Sequence, residues 1–567
     1  MRNLVDMISA QAERHGDAVA LRFLDNGEVS SSTTLDYQGL ALAARRIAAG
    51  LSRQMMPGTR VLLVYPSGLA FVEAFLGVSH AGGIAVALPP LNPLAADQTD
   101  QLLINVSKDC KPDLCLVDDS LADAAIRAME AHPSLQSLTW LKHSDFDQEQ
   151  ATWWRAPVID AGDVALLQYT SGSTGLPKGV RVTHGNLLSN LQSIASAIDW
   201  RSHENGACVS WLPMYHDMGL IGGILMPIHT ATQGVLMSPL AFASRPMRWL
   251  KAISHYRAYC SGGPNSAYEL CIASASENVK ASLDLSCWGF AANAAEPPRL
   301  STQQRFHRTF SECGFKMSTL RPCYGLAEAS LMVTVAAPAG PAALTTRGEV
   351  VDLDGLAEKF ELAQCRASSG RPAPGVDVRI VDPGTGEALD DGQVGEIQVS
   401  GPSVSPGYWG HADSHGLWLS TGDLGMFVQG DLVVTGRSKD LIIIAGRKIY
   451  PHDIELCAQS VDSRLKAGFG VAFGVADQDS EHLVLVQEAA KFKQIDSVDL
   501  CRQLRQEVYA HYKVPLHRIL LVGSGSIPRT PNGKLKREAC RKLFQERKLV
   551  ALHESLAGET AEPLLAR

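Results

Sequence analysis

The 567-residue chain has no apolar run of 18 residues, the length a membrane-crossing helix needs. Its longest approaches, such as LIGGILMPI (220–228), are core-sized. The first residues, MRNLVDMISAQAERHGD, break their apolar positions with Asp6, Gln11, Glu13 and Arg14, so no signal peptide is expected. There is no CxxC pair and no Cys/His cluster among the 12 cysteines. A chain this long needs no disulfide framework, so reduced thiols in a cytoplasmic protein are expected. Positive charge is not in excess: 51 Lys and Arg against 59 Asp and Glu leave a net charge of −8, which argues against nucleic acid as the main partner. No GK[ST] occurs anywhere, which excludes the usual NTPase phosphate loop. GFGVAFG (468–474) resembles a dinucleotide fingerprint only superficially. Gly468, Gly470 and Gly474 miss the GxGxxG spacing by one residue, and more strand follows where a helix is required. Internal repeats and low-complexity tracts are absent as well.

What is present is a β-α alternation. VLLVYP (61–66) reads as a strand, followed by a helical pattern from Leu69 to His80. GIAVALPP, DLCLVD (113–118) and DVALLQYT are further strands, and HGNLLSNLQSIASAI (184–198) has apolar residues at helical spacing. Such alternation implies parallel sheets covered by helices. From Val376 to Ile444 the texture changes to short strands with Gly/Asp turns, and after GRSKDLIIIAGRKIYP the last segment mixes strands and helices. The length requires at least two domains. The predicted fold class is therefore α/β: a large domain over 1–437 with a β-rich part at 376–437, then a small α+β domain over 438–567, with the boundary near Arg437–Asp440.

QYTSGSTGLPKG (168–179) carries six small residues in a row: Thr170, Ser171, Gly172, Ser173, Thr174 and Gly175. Such a run buries almost nothing. Following a strand and preceding a helix, it suits a phosphate: glycine lets backbone N–H groups approach oxygens, hydroxyls add donors and Lys178 adds charge. Four other stretches are plainer taken singly. WLPMYHDMGLIGG (211–223) holds His216, which alone reads as a core histidine. CYGLAEAS (323–330) sets Glu328 at the start of an apparent helix, where an acid suits the dipole. LSTGDLG (419–425) puts Asp423 in a turn between strands, and IPRTPNGKLKRE (527–538) carries Lys534 in a Pro/Gly-rich loop.

Together, in this order and spacing, these stretches resemble the adenylate-forming superfamily of acyl-CoA synthetases, luciferases and peptide-synthetase adenylation domains. The resemblance spans nearly the whole chain. WLPMYHDMGLIGGIL, LMSPLAFASRPMRWLKAISHYRA, GGPNSAYELC and YGLAEASLMVTVA look like its fatty acyl-AMP ligase branch, which feeds lipid and polyketide assembly lines. So does the extra segment, Pro338–Ser369, before GRPAPG (370–375).

The resemblance implies ATP and Mg²⁺ as cofactors, a fatty acid as substrate and the phosphopantetheine thiol of an acyl carrier protein as acceptor. It assigns the 170–175 loop and Lys178 to the leaving pyrophosphate and Glu328 to the metal. Lys534 bridges carboxylate and α-phosphate, while Asp423 and Arg437 hold the ribose. Tyr324, with Gly325 and Leu326, and the strand end Asn293, Ala294, Ala295 and Glu296 enclose the adenine. His216 lines the junction of acyl group and phosphate; Met218, Gly219 and Ile221 wall the acyl tail. Lys439 falls at the hinge between domains. Two departures stand out: Ala294 where a glycine is expected, and Lys448 where asparagine is usual. The competing readings are a fatty acyl-CoA synthetase and, from another class, a non-catalytic acyl or nucleotide binder on the same fold. Retention of Glu328, Lys178 and Lys534 argues against the latter.

Overall fold

The computed structural model describes residues 1–171, 177–200, 206–338, 340, 342–345, 350–352, 365–412, 416–444, 447–462, 464–477, 480–489, 496–529 and 535–557. Segments apolar at every position, such as VLLV and IAVAL, must be buried on both faces. They become the strands Arg60–Val64 and Ile84–Leu88 in the middle of a six-stranded sheet. The sheet runs in the order Thr139–Lys142, Leu114–Val117, Arg60–Val64, Ile84–Leu88, Val164–Ser171, Pro177–Thr183. Every pairing in it is parallel except the last. The helix expected from Leu69 to His80 has those bounds. It packs on the helix Tyr37–Leu51 through Gly77, where a β-carbon would meet Ile47 at 2.5 Å.

A nine-stranded sheet stands beside it. Its six central strands are parallel: Leu320–Gly325, Phe290–Asn293, Ala258–Gly263, Ala207–Ser210, Gly234–Met237 and Val19–Leu24. The two sheets share one apolar core, in which Leu63 and Ala85 join Leu220, Ile224 and Val333. A second core belongs to the larger sheet and its helices, and it is aromatic: Trp211, Phe242, Trp249, Tyr268, Trp288, Phe306, Phe310 and Phe315. Trp249 stands edge-on to Trp288 at 5.4 Å between ring centres and donates its indole N–H to Ser261 Oγ at 2.7 Å.

Four antiparallel strands follow: Asp377–Val381, Gly395–Ser400, Leu419–Val428 and Asp431–Arg437. A 3-10 turn, Ser438–Asp440, leads to the hairpin Ile442–Ile444 and Arg447–Ile449, whose exposed edge carries Lys448. The remainder forms its own mixed sheet, Leu465–Asp477, Ser480–Ala489, Leu516–Val522 and Ala551–Leu556, flanked by helices Pro451–Val461, Ser497–Tyr512 and Arg537–Gln545. Its core is separate, built on Ile454, Leu483, Leu504 and Ile519. The α/β architecture with a small α+β part is as expected, and GFGVAFG lies inside one strand, which removes the dinucleotide reading. Among the described residues, no helix is long and apolar enough to cross a membrane.

Candidate active site

The small-residue run is not a strand-to-helix loop. Val164–Ser171 and Pro177–Thr183 pair antiparallel, with Thr170 opposite Lys178 and Ser171 opposite Pro177. The helix His184–Ala197 begins only after this second strand. The sequence carries part of the signal at period two: Val180 and Val182 are buried, with half-exposed Arg181 between them. Gly172, Ser173, Thr174 and Gly175 lie outside the described residues. The hairpin is pinned by the segment 405–409. Arg181 N–H donates to the Gly407 carbonyl at 2.9 Å, and Trp409 N–H to the Gly179 carbonyl at 2.8 Å.

That pinning brings in a residue sequence reasoning missed. The Tyr408 ring lies 5.3 Å from Lys178 Nζ, and its hydroxyl donates to Glu328 Oε1 at 2.7 Å. Burial and the Glu328 charge push this phenol up, so it remains a donor. The signal was SPGYWG, a Pro-Gly turn followed by two aromatics beside the loop's own strand.

Glu328 does not start a helix. It sits in a single 3-10 turn, Ala327–Ala329, between Leu320–Gly325 and Met332–Val335. Ser330, at φ +67°, turns the chain back. Leu326 N–H donates to the Leu331 carbonyl at 3.1 Å, which closes the loop. Gly325 is obligatory here, since a β-carbon would lie 1.8 Å from the Leu331 oxygen. Asn190 clamps the returning strand, giving Nδ2 to the Met332 carbonyl at 3.0 Å and taking Met332 N–H on Oδ1 at 3.2 Å.

Asp423 lies within the strand Leu419–Val428, not in a turn; Gly422, at φ +71°, produced the turn-like sequence. The strand pairing sets Asp423 opposite Arg437. Asp423 Oδ1 takes Arg437 Nε at 3.0 Å, and Oδ2 takes the Tyr324 hydroxyl at 2.8 Å. Burial, then the Asp423 charge, drives Tyr324 far above the usual phenol range, and Asp423 holds Arg437 more firmly protonated. Two chains of contacts thus meet on one segment of backbone: Arg437, Asp423 and Tyr324 on one side, and Glu328, Tyr408 and Lys178 on the other.

The strand Phe290–Asn293 lies beside this segment, with Asn293 opposite Pro322. Asn293 is fully buried and donates Nδ2 to Asn265 Oδ1 at 3.0 Å. Ala294 N–H reaches the Gly263 carbonyl at 3.4 Å. Ala295 then adopts φ +76°, a conformation costing about 1 kcal/mol for a residue with a β-carbon. Glu296 Oε1 accepts Ser266 N–H at 3.3 Å.

His216 follows the strand Ala207–Ser210 in a loop tied to the strand Val164–Ser171 by Gln168, whose Nε2 donates to the Tyr215 carbonyl at 3.1 Å. Asp217 Oδ1 faces His216 Nδ1 and caps the next helix through Met218 N–H at 2.7 Å. That helix, Met218–Leu225, is a π-helix. It rests close because Gly219 backs onto the Pro213 carbonyl and Gly223 onto Ser210, where β-carbons would come to 2.0 and 2.5 Å. Ile221 is packed inside the shared core, and Met218 is half-buried.

Lys439 is exposed in its 3-10 turn, flanked by Arg437, which pairs with Asp423, and by Asp440, which takes Arg537 Nη1 at 3.0 Å. Lys534 lies outside the described residues. Of the extra segment, Ala342–Thr345, Val350–Asp352 and Cys365–Ala367 form a small antiparallel sheet. Arg366 reaches from it to Asp453 and lies 5.0 Å from the Tyr450 ring. Helix packing also gathers Cys457, Glu507 and His511, ligand atoms within 4.8 Å of one another, although no Cys/His cluster is visible in the sequence. His511 Nδ1 faces the Glu507 carbonyl of its own helix at 3.0 Å.

Residues 8–409 match the model of the AMP-binding enzyme family. The chain is 36% identical over 565 residues to the medium-chain-fatty-acid–[acyl-carrier-protein] ligase JamA of Moorena producens, covering 96% of this chain and 95% of that protein. It is 32% identical to the long-chain-fatty-acid–AMP ligase FadD32 of Mycolicibacterium smegmatis, covering 97% and 95%. A solved structure from work on fatty acyl-adenylate ligases of E. coli and L. pneumophila superposes with a TM-score of 0.85 at 32% identity, over 97% of this chain and 98% of that one. The L. pneumophila fatty acyl-adenylate ligase in complex with acyl adenylate and pyrophosphate gives 0.71 at 34% identity, over 99% of both chains. The chain belongs to the AMP-binding enzyme family, in its fatty acyl-AMP ligase branch.

Proposed function

We propose that this protein joins a fatty acid to the α-phosphate of ATP, releases pyrophosphate and passes the acyl group to the phosphopantetheine thiol of an acyl carrier protein. The observation that carries the reading is the row from Arg437 through Asp423 and Tyr324, along the segment 324–328, to Glu328, Tyr408 and Lys178. A carboxylate is a weak nucleophile and ATP is densely anionic, so the site must supply donors and positive charge before the two can meet. The row offers an acceptor for ribose hydroxyls at one end and a cation at the phosphate hairpin at the other.

Asp423 takes Arg437 on one oxygen and Tyr324 on the other, and a carboxylate, an acceptor with about four lone-pair positions, is the group that two ribose hydroxyls need. Arg437 steadies that carboxylate. Lys178 meets the leaving pyrophosphate, and Lys534, a compact charge on a flexible stem, follows charge between carboxylate and α-phosphate. His216, oriented by Asp217, stands at the acyl–phosphate junction, and Met218 with Ile221 backs the alkyl tail. Glu328 suits Mg²⁺. Among the described residues, its Oε1 receives a phenol and no Lys or Arg forms an ion pair with it. One carboxylate, completed by water and phosphate oxygens, is the donor set Mg²⁺ takes. When bound, the ion would neutralise phosphate charge.

The chain divides functionally at Lys439 into 1–437 and 438–567. The Arg366–Asp453 contact supports a role for the extra segment in holding the smaller part against free CoA. The cysteines with described side chains form no disulfide, which supports a cytoplasmic setting. The test is incubation with ATP, Mg²⁺ and a fatty-acid panel, alone, with CoA and with a phosphopantetheinylated carrier, resolving acyl-AMP, acyl-CoA and acyl-carrier. The expected result is acyl-AMP alone, acyl-carrier with the carrier and little acyl-CoA. Acyl-CoA formed as fast as acyl-AMP would replace this reading with an acyl-CoA synthetase, and no acyl-AMP would leave a binding protein. Glu328→Gln should raise the Mg²⁺ requirement.

A further inference from the structure

We infer that Arg529 is a positioning residue for adenylate formation, acting in a latch with Gly468, Arg299 and Glu296; this rests on the function proposed above. Two arginines meet at one glycine. Gly468 lies in the first part of the long strand Leu465–Asp477 at φ +79°, and a β-carbon there would lie 2.6 Å from Arg299 Nη1. From the other side Arg529 donates Nη2 to the Gly468 carbonyl, and its guanidinium stacks on Phe469 at 3.7 Å. The Gly468 N–H is taken by Gln459 Oε1 at 2.8 Å. Glycine is required twice here, by the left-handed backbone and by the Arg299 guanidinium.

Arg299 belongs to the other part of the chain. It is only 7% exposed, its backbone N–H donates to Asn265 Oδ1 at 3.0 Å, and its Nη2 stands 3.5 Å from Glu296 Oε2. Two like charges face each other across Gly468, which is unfavourable unless a negative charge sits between them. Glu296 supplies such a charge: it pairs with Arg299, and burial lowers the Arg529 cation's pKa while the charges of Glu296 and Glu488 favour it and Arg299 opposes it.

The placement is what gives this contact a function. Glu296 ends the Asn293–Glu296 turn, whose Asn293 shares the buried Asn265 amide with Arg299. Arg529 is bridged in the backbone to Leu535, so the two residues flanking the segment that contains Lys534 are tied together at its base. One cluster therefore joins the adenine-side strand end to the base of the lysine segment. It is built from charge and one glycine, which can part and re-form in water at little net cost. Holding it closed favours the pose in which Lys534 serves adenylation. Transfer to the carrier thiol, which needs the lysine withdrawn, has no use for it.

The test measures the two half-reactions separately on the full chain. Arg529→Ala should lower ATP–pyrophosphate exchange at saturating substrates at least tenfold, leave KM for ATP within twofold, and leave acyl transfer from supplied acyl-AMP to the carrier within twofold. Gly468→Ala should give the same signature from the opposite side, and it carries the test should Arg529→Ala fail to fold. Exchange within twofold of wild type in both variants overturns the latch. So does an equal fall in both half-reactions, the mark of a merely structural contact. A wild-type chain that makes no acyl-AMP removes the functional reading, and the latch with it.

Discussion

The space between the two large sheets and the seam beside the carboxy-terminal part are filled with opposite materials. Between the sheets lie Leu63, Ala85, Leu220, Ile224 and Val333, fully buried and apolar. Along the seam lie Arg299 with Glu296, Arg366 with Asp453, Asp440 and Glu455 with Arg537, and His452. Burial first, then the charges of Arg299, Arg537 and Arg366, holds His452 neutral, far below the ordinary imidazole range. Apolar contact gains about 25 cal/mol per Å² wherever water is excluded, and it resists separation. Ion pairs at partly wet surfaces are worth about 0–1 kcal/mol, because solvation is recovered when they part. The first material makes a frame, and the second makes a joint that can open. The difference teaches which half of the molecule should answer to stability measurements and which to the balance between reaction steps.

The comparison breaks first at Trp249. Truncation to alanine in the fully buried aromatic core should cost about 3–5 kcal/mol in denaturant unfolding. The ratio of the two half-reactions should stay as in wild type; a changed ratio would mean that the frame, too, sets the reaction balance. Lys534→Ala should do the reverse, lowering pyrophosphate exchange about 10²–10³-fold with ATP binding retained and thermal stability unmoved. Exchange within tenfold of wild type would remove the lysine from the chemistry.

Acid tests the frame more gently. His80 donates Nδ1–H to the Leu76 carbonyl at 2.8 Å, and burial pushes its pKa down to about 4. His184 accepts Leu4 N–H on Nδ1 at 3.3 Å and is likewise pushed down to about 4, again by burial. Both are neutral when folded and titrate near 6.5 when unfolded, so the unfolded chain binds more protons and stability falls as pH drops from 6.5 towards 4. At pH 5 each should cost about 2 kcal/mol. His80→Leu should flatten the dependence of unfolding free energy on pH by up to one proton; an unaltered slope would refute the assignment. The smallest effect is expected at the seam. Arg366→Ala, removing a partly exposed pair, should change stability by less than about 1 kcal/mol, yet raise acyl-CoA output up to about fivefold. Unchanged acyl-CoA would place the refusal of CoA in its binding surface.

The frame was legible in the sequence because burial on both faces writes itself as uninterrupted apolar runs, and the helix Leu69–His80 was readable to its ends. Three local readings failed for one reason. The strand Pro177–Thr183, the 3-10 turn at Glu328 and the strand holding Asp423 each carry polar residues and lie on or beside a glycine, so they read as loops or helix starts. Tyr408 was missed because its partner Glu328 is 80 residues away in sequence. The seam was illegible altogether: Arg366 and Asp453 are 87 residues apart, and an arginine in sequence looks the same whether it faces water or a partner.

The π-helix Met218–Leu225 has a consequence for how such chains can vary. Its hydrogen bonds span five residues instead of four, so it holds slack that an α-helix lacks. Loss of one residue between Gly219 and Gly223 would let the stretch tighten into ordinary α-helix, with Asp217 still capping one end and Met226–His229 continuing the other. The wall proposed for the alkyl chain would shift by ~1.5 Å, the rise of one residue, while the strand beneath kept its register. Single-residue insertions and deletions should therefore be survivable here when they are lethal one strand away. Chain-length preference could then drift by small steps in gene length, without rebuilding the sheet that carries the chemistry.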